Sequence, residues 1–386
     1  MKTAVQKQKT ILLFANTTWY LYNFRLQLAM DLRERGYHVV LASPHDEYVQ
    51  RIMQDGFQWV GFEISRRGMN PWKELSSIFF ITKAYRQLKP DLVCHFTLKS
   101  VLYGSIGARL SGIPAVMNAI TGLGYLYSHQ SFSTLLQRWI LLQVSRYALR
   151  HPNSVTIFQN ESDRREFTDT GVLAEDLTEV IPGSGVNLDL FQTEHIPEHL
   201  EGEKRTRVVM VSRMLWDKGI GEIIEAVRLL QAGGSPIRIT LAGAVDEGNP
   251  RSVRAAELRG WQEEGLIEWL GFVEDVPGLL QQSDLVILPS KYREGVPRSL
   301  IEAAAAGKPI ITTDVPGCTD IVQDGYNGVI VPAGDAKALA AAIKYLVADP
   351  LLRKQMGDAG RFIVRRDFSV ESVNSRLIRS MEKLLK

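Results

Sequence analysis

The stretch Leu285-Val286-Ile287-Leu288-Pro289-Ser290-Lys291-Tyr292-Arg293-Glu294-Gly295-Val296-Pro297-Arg298-Ser299-Leu300-Ile301-Glu302 reads as a strand, a loop and the start of a helix. Four consecutive branched apolar residues, with no polar alternation, suit a strand buried on both faces. Gly295 permits a tight turn, and Pro297 suits the first turn of a helix spanning 297–306. A buried strand running straight into a helix is the building unit of a parallel sheet covered on both sides. The same unit recurs around it, with strands expected at 207–212, 237–242, 267–270 and 309–312. An earlier series precedes it, with strands expected at 10–15, 37–42, 58–62, 92–95, 115–118 and 155–158. Helical segments of the first series fall at 23–35, 71–88, 98–110 and 134–149. Between the series, the polar and acidic residues 192–205, with Pro197 and Gly202, read as a linker. The expected fold class is therefore α/β, two parallel-sheet domains facing across a cleft. Residues 1–191 form the first and 192–368 the second; a last helix at about 369–386 is a candidate to pack back on the first.

Composition agrees with that reading. The chain has 386 residues, 45% hydrophobic and 23% charged, which excludes disorder, collagen and coiled-coil rods. Cys94 and Cys318 are the only cysteines, so a disulfide framework is excluded. The net charge of +2 hides an asymmetry. Residues 1–150 carry 18 Lys or Arg against 8 Asp or Glu, and the remainder carries 27 against 35. Between Asp91 and Glu161 there is no carboxylate side chain, while Lys99, Arg109, Arg138, Arg146 and Arg150 lie there. The first half thus suits an anionic partner. No apolar run approaches the ~18 residues of a membrane span, and residues 11–15 are too few for a signal peptide. A cytoplasmic protein is expected.

The loops after the strands carry the chemistry, because open α/β sheets bind ligands beyond the carboxyl ends of their strands. A helix opening near Pro297, Arg298 and Ser299 directs backbone N–H groups at that edge, an anion site suited to a diphosphate. Glu302, among apolar neighbours, needs donors, which a ribose diol supplies; taken alone it reads better as a structural carboxylate paired with an Arg, and the motif around it turns the reading to a ligand. Arg213 and Lys218, in the loop after 207–212, are placed to converge on one anion. The dinucleotide glycine fingerprint, the P-loop, Asp-x-Asp, zinc spacing and the Gly-x-Ser-x-Gly elbow are all missing from the sequence. No cofactor and no metal are expected, so Arg, Lys and backbone dipoles must neutralise the diphosphate.

With these features the chain resembles the retaining glycosyltransferases of family four, which have the GT-B fold of two Rossmann-like domains. Glu294 and Glu302 form the Glu-x7-Glu motif, and Arg213 and Lys218 the basic pair. Tyr22-Asn23-Phe24-Arg25, Ser65-Arg66-Arg67-Gly68, Lys99-Ser100-Val101-Leu102 and Thr121-Gly122-Leu123-Gly124 resemble the subgroup that extends undecaprenyl-diphosphate-linked sugars. The resemblance implies a UDP-sugar donor, a lipid-linked sugar acceptor, retention of configuration and peripheral attachment to the inner face of the cell membrane. It implies that Arg213 and Lys218 bind the donor diphosphate and that Glu302 holds the ribose. Glu294, Gly295 and Val296 would contact the sugar and diphosphate, beside Pro297, Arg298 and Ser299. Asn23, Arg25, Arg66, Lys99, Thr121 and Gly122 would line the acceptor side. Thr121 stands where many members carry His, and His95 nearby reads as an ordinary strand-end residue. Competing readings are a UDP-sugar epimerase, which needs no acceptor, and a sugar-nucleotide-binding partner without turnover. Nucleic-acid binding lacks a recognisable module.

Overall fold

The computed structural model describes residues 8–64, 71–123, 132–191 and 205–386. Arg66, Gly124 and residues 192–204 of the expected linker lie outside them. The chain divides into two compact units, one made of residues up to Gly185 together with Val373–Lys386, the other of Val186–Ser372.

In the first unit the order is β1 (Thr10–Phe14), α1 (Thr18–Glu34), β2 (His38–Ser43), α2 (Val49–Gln54), β3 (Gln58–Gly61), α3 (Pro71–Leu88), β4 (Leu92–Phe96), α4 (Leu98–Ser111), β5 (Val116–Ile120), α5 (Phe132–Ala148), β6 (Ser154–Phe158), α6 (Glu161–Asp169) and β7 (Thr178–Val180). All seven strands pair in parallel, in the order β3-β2-β1-β4-β5-β6-β7. Alternation along each strand sorts the core into two faces. Ile11, Leu13 and Cys94 pack with Leu21, Leu28 and Leu32 of α1 and with Val373, Leu377 and Met381 near the C-terminus. Leu12, Phe14 and Val93 pack on the opposite side with Ile81 and Tyr85 of α3 and Ala108 of α4. Helix α1 begins five residues earlier than periodicity suggests. The Thr17 hydroxyl accepts from the Tyr20 amide at 3.1 Å and caps it there.

The second unit runs β8 (Thr206–Val211), α7 (Ile220–Ala232), β9 (Ile237–Ala242), α8 (Ala255–Glu263), β10 (Glu268–Gly271), α9 (Val276–Gln281), β11 (Leu285–Leu288), α10 (Arg298–Ala305), β12 (Ile310–Thr313), β13 (Gly328–Val331), α11 (Ala336–Ala348), α12 (Pro350–Ile363) and α13 (Val370–Leu384), the last helix ending in the first unit. Its parallel sheet has the order β10-β9-β8-β11-β12-β13. In each sheet the winding direction reverses once, between β1 and β4 in the first and between β8 and β11 in the second. The loops leaving those paired strands diverge, and a crevice opens between them.

Candidate functional site

At the reversal of the second sheet, the loops after β8, β11 and β12 are locked together. Gly219 has φ +82°, and a Cβ there would stand 2.1 Å from the Pro289 carbonyl oxygen. Gly317 has φ +90°, and its Cβ would stand 1.7 Å from the Gly295 carbonyl oxygen. Only glycine fits either place, in conformation and in space. The backbones add a bond from the Lys291 amide to the Asp217 carbonyl (2.8 Å) and one from the Glu294 amide to the Pro316 carbonyl (3.0 Å). The β11 loop is thereby held from both sides.

Lys218 and Glu294 face each other across this junction as a buried ion pair. The Ser290 hydroxyl donates to the same Glu294 oxygen, Oε1, at 2.9 Å. The Lys218 ammonium also lies 5.1 Å from the centre of the Tyr292 ring. Burial pulls the Lys218 pKa down, but Glu294 and Tyr292 outweigh it and hold the group above its usual range. Burial raises the Tyr292 hydroxyl, against the pull of Lys218. The site therefore keeps a charged lysine in a nearly dry place, where its field is screened little.

Arg213 reaches outward and pairs with Asp246 at 2.9 Å, its side chain more than half exposed. The two cations expected to converge on one anion are thus each held by a carboxylate, Lys218 inside and Arg213 at the rim. Tyr292 feels the charge of both. Helix α10 follows Pro297, which offers its first turn no side-chain cap, with Gly295 and Val296 just before it and Ser299 in that turn. Glu302 is not alone on an apolar face, as the sequence suggested. Arg298, one turn earlier, donates from Nε to Glu302 Oε1 at 2.6 Å. The i,i+4 spacing puts the two side chains over one another. Burial still raises the Glu302 carboxyl, with Arg298 opposing.

Sequence reasoning passed over three supports. Asp246 holds Arg213 and also accepts from Asn249 Nδ2 at 2.9 Å. Asp217 pairs with Arg251. Gly317 donates its amide to Asp320 at 2.9 Å. Only Gly317 had a sequence signal, a Pro-Gly turn after a buried strand.

In the first unit the acceptor-side candidates are spread along the carboxyl edge of the sheet. Asn23 Nδ2 donates to the Trp19 carbonyl at 2.9 Å, within α1. Arg25 is buried against Phe96, the last residue of β4. Lys99, in the first turn of α4, pairs with Glu74 of α3 at 2.9 Å. Thr121 and Gly122 follow β5 directly. His95 lies inside the sheet's packing, not in a site. Its Nδ1 donates to Asn118 Oδ1 at 2.7 Å, and its Nε2 accepts from the Tyr85 hydroxyl at 2.9 Å. Burial lowers its pKa to about 4, so it is neutral at pH 7. Among the described residues, no three His, Cys, Asp or Glu side chains gather as metal ligands.

Comparison with known proteins matches both units to one class. Residues 10–160 fit the model of the "Glycosyl transferase 4-like" domain, and residues 191–362 that of "Glycosyl transferases group 1". The chain is 31% identical to the N,N'-diacetylbacillosaminyl-diphospho-undecaprenol alpha-1,3-N-acetylgalactosaminyltransferase of Campylobacter jejuni, over 86% of this chain and 88% of that one. It is 23% identical to the UDP-Gal:alpha-D-GlcNAc-diphosphoundecaprenol alpha-1,3-galactosyltransferase of Escherichia coli, over 74% of each. In fold it is similar to Anabaena HepE in complex with UDP, with a TM-score of 0.78, 20% identity, and coverage of 97% of this chain and all of that one. With two Rossmann-like parallel sheets, both domain models and a relative of this closeness, the chain belongs to the group 1, family-four-like glycosyltransferases of GT-B fold.

Proposed function

We propose that this enzyme moves a hexose or N-acetylhexosamine from a UDP-sugar to the sugar of an undecaprenyl-diphosphate-linked acceptor, in bacterial polysaccharide or glycan assembly. The anomeric configuration is retained and no metal ion takes part. The observation that carries the reading is the buried Lys218, set between Glu294 and Tyr292 where the second sheet reverses. A charged ammonium there stabilises the negative charge that builds on the leaving diphosphate, together with Arg213 and the amides opening α10. Glu302, held up by Arg298, receives the ribose hydroxyls. The departing diphosphate takes the proton of the attacking acceptor hydroxyl, so no second carboxylate is needed to flank the bond. The relatives' names support the acceptor class.

A lipid-linked acceptor requires a membrane surface, and the α3–α4–α5 side of the first unit suits one. Trp72 is 81% exposed, Phe79 65% and Trp139 59%, with Leu75, Phe80, Leu136 and Ile140 exposed beside them. These three helices carry seven Lys or Arg against the single carboxylate Glu74, so the apolar side chains stand in a positive field suited to anionic lipid. Among the described residues no helix is long and apolar enough to cross a membrane.

The test is a panel of UDP-sugars with a defined polyprenyl-diphosphate sugar, run with and without a metal chelator, the product linkage read by NMR. Acceptor-dependent transfer with retention, insensitive to chelator, is expected. Conversion of the UDP-sugar without acceptor would instead indicate an epimerase, and UDP binding without turnover a non-catalytic partner. Flotation with anionic vesicles at low and high salt checks the attachment; binding indifferent to salt and lipid charge would count against it.

A further inference from the structure

Arg25 of α1 is 2% exposed. A guanidinium stays charged in any protein, so this is a permanent buried cation. Its Nη2 donates to the Tyr20 hydroxyl at 3.1 Å. Its Nε and Nη1 are buried and have no hydrogen-bond acceptor among the described residues. Two aromatic faces are its other company, with the guanidinium carbon 4.5 Å from the Phe96 ring centre and 5.6 Å from that of Tyr20. Rings offset part of a cation's charge, but they fill no N–H donor. A buried charge left so is strongly unfavourable, and folds keep one only where something answers it.

Its position says what answers it. Phe96 ends β4, which neighbours β1 at the reversal of the first sheet. The next residue, Thr97, has φ +73°, a left-handed conformation that a β-branched residue adopts only under strain. Strain and an unanswered charge thus meet where an α/β sheet offers its crevice.

We propose that Arg25 receives a phosphate oxygen pair of the acceptor's diphosphate. This rests on the acceptor class proposed above. Nε and Nη2 share one edge of the guanidinium and form the planar fork that matches two phosphate oxygens, a geometry no ammonium provides; Nη1, on the other edge, can bond a further oxygen. Nε and Nη1 are closed to solvent and Nη2 is held by the Tyr20 hydroxyl, so reception requires the Tyr20 side chain, in the first turn of α1, to turn aside. Until the anion arrives, the Tyr20 hydroxyl and the two rings hold the guanidinium in place.

Arg25→Lys and Arg25→Met are compared with wild type on two acceptors, a polyprenyl-diphosphate sugar and the same sugar on a neutral alkyl chain. For the diphosphate acceptor, KM rises roughly 10–100-fold in Arg25→Met and less in Arg25→Lys. The KM for the UDP-sugar moves far less, and the loss on the neutral acceptor is at least about tenfold smaller than that on the diphosphate acceptor, the discrimination one charged hydrogen-bond pair supplies. An equal loss on both acceptors would mean that Arg25 is only a packing group, and the proposal falls. A second measurement needs no turnover: calorimetric titration of inorganic diphosphate into protein saturated with UDP. Wild type binds it most tightly, Arg25→Lys more weakly and Arg25→Met not at all; equal binding by all three overturns the proposal. If wild type uses no lipid-linked acceptor, the acceptor class is wrong, and the titration still decides Arg25.

Discussion

Both sheets bury a cation where their winding reverses, but they treat it differently. In the second unit Lys218 meets Glu294, and the loops around the pair are fixed by Gly219 and Gly317. In the first unit Arg25 meets, among the described residues, a hydroxyl and two rings, while the neighbouring strand end is neutral, with His95 uncharged between Tyr85 and Asn118. A paired cation is a preorganised electrostatic element. It is already oriented, needs no reorganisation at the moment of reaction, and can act on charge that develops there. An unpaired one stores unfavourable energy until an anion binds, which suits a place for recognition. On the proposed reading, the second unit is the chemical half, and the first the half that holds a charged substrate.

Four experiments break or sharpen this contrast. The largest effect belongs to Lys218→Ala, which leaves Glu294 buried without its partner. Transfer should fall on the order of 10²-fold or more, and stability by about 3–5 kcal/mol; single-turnover kinetics and denaturant titration read the two. If transfer persists at the wild-type rate, the second unit's pair is structural and the contrast collapses.

Next comes acid. The folded chain holds His95 neutral down to about pH 4, whereas the unfolded chain protonates it near 6.5. Its contribution is therefore complete above pH 6.5 and is lost as pH falls toward 4, a loss on the order of 3 kcal/mol. Denaturant midpoints measured between pH 7 and 4 should show it, and His95→Gln should flatten the slope.

Gly104→Ala is smaller again. Its Cβ would stand 2.4 Å from the His95 ring, which is tied at both nitrogens and has little room to shift. A loss of about 1–3 kcal/mol is expected, with donor kinetics unchanged. Glu302→Gln comes last. It keeps the shape but weakens acceptance of the ribose hydroxyls, so KM for the UDP-sugar should rise about tenfold with little change in kcat. A kcat loss at constant KM would move Glu302 from binding to chemistry.

Much of the architecture was readable from local pattern. Runs such as Leu285–Leu288 could be buried only between two helical layers, and Pro297 opened the helix that follows. Helix α1 was misplaced because its start depends on one hydroxyl, Thr17, and not on apolar spacing. Glu302 and Arg298 were both visible, yet their bond depends on rotamers that sequence spacing permits without requiring. Tyr85, His95 and Asn118 come from α3, β4 and β5, and nothing in the linear order announces that they form one network.

The sequence by itself determined the two parallel sheets, the loops that carry the chemistry, and which side chains there bear charge. These follow from hydrophobic runs, glycine and proline positions and residue types, all local properties. Only the tertiary structure decided which charges are neutralised. Lys218 and Glu294 are 76 residues apart and become partners because their strands are neighbours. Arg25 and Phe96 are brought together by the pairing of β1 with β4, which places an arginine against rings, with no described carboxylate paired to it. Burial and pairing are properties of the packed sheet, since the energy of a charge depends on what surrounds it.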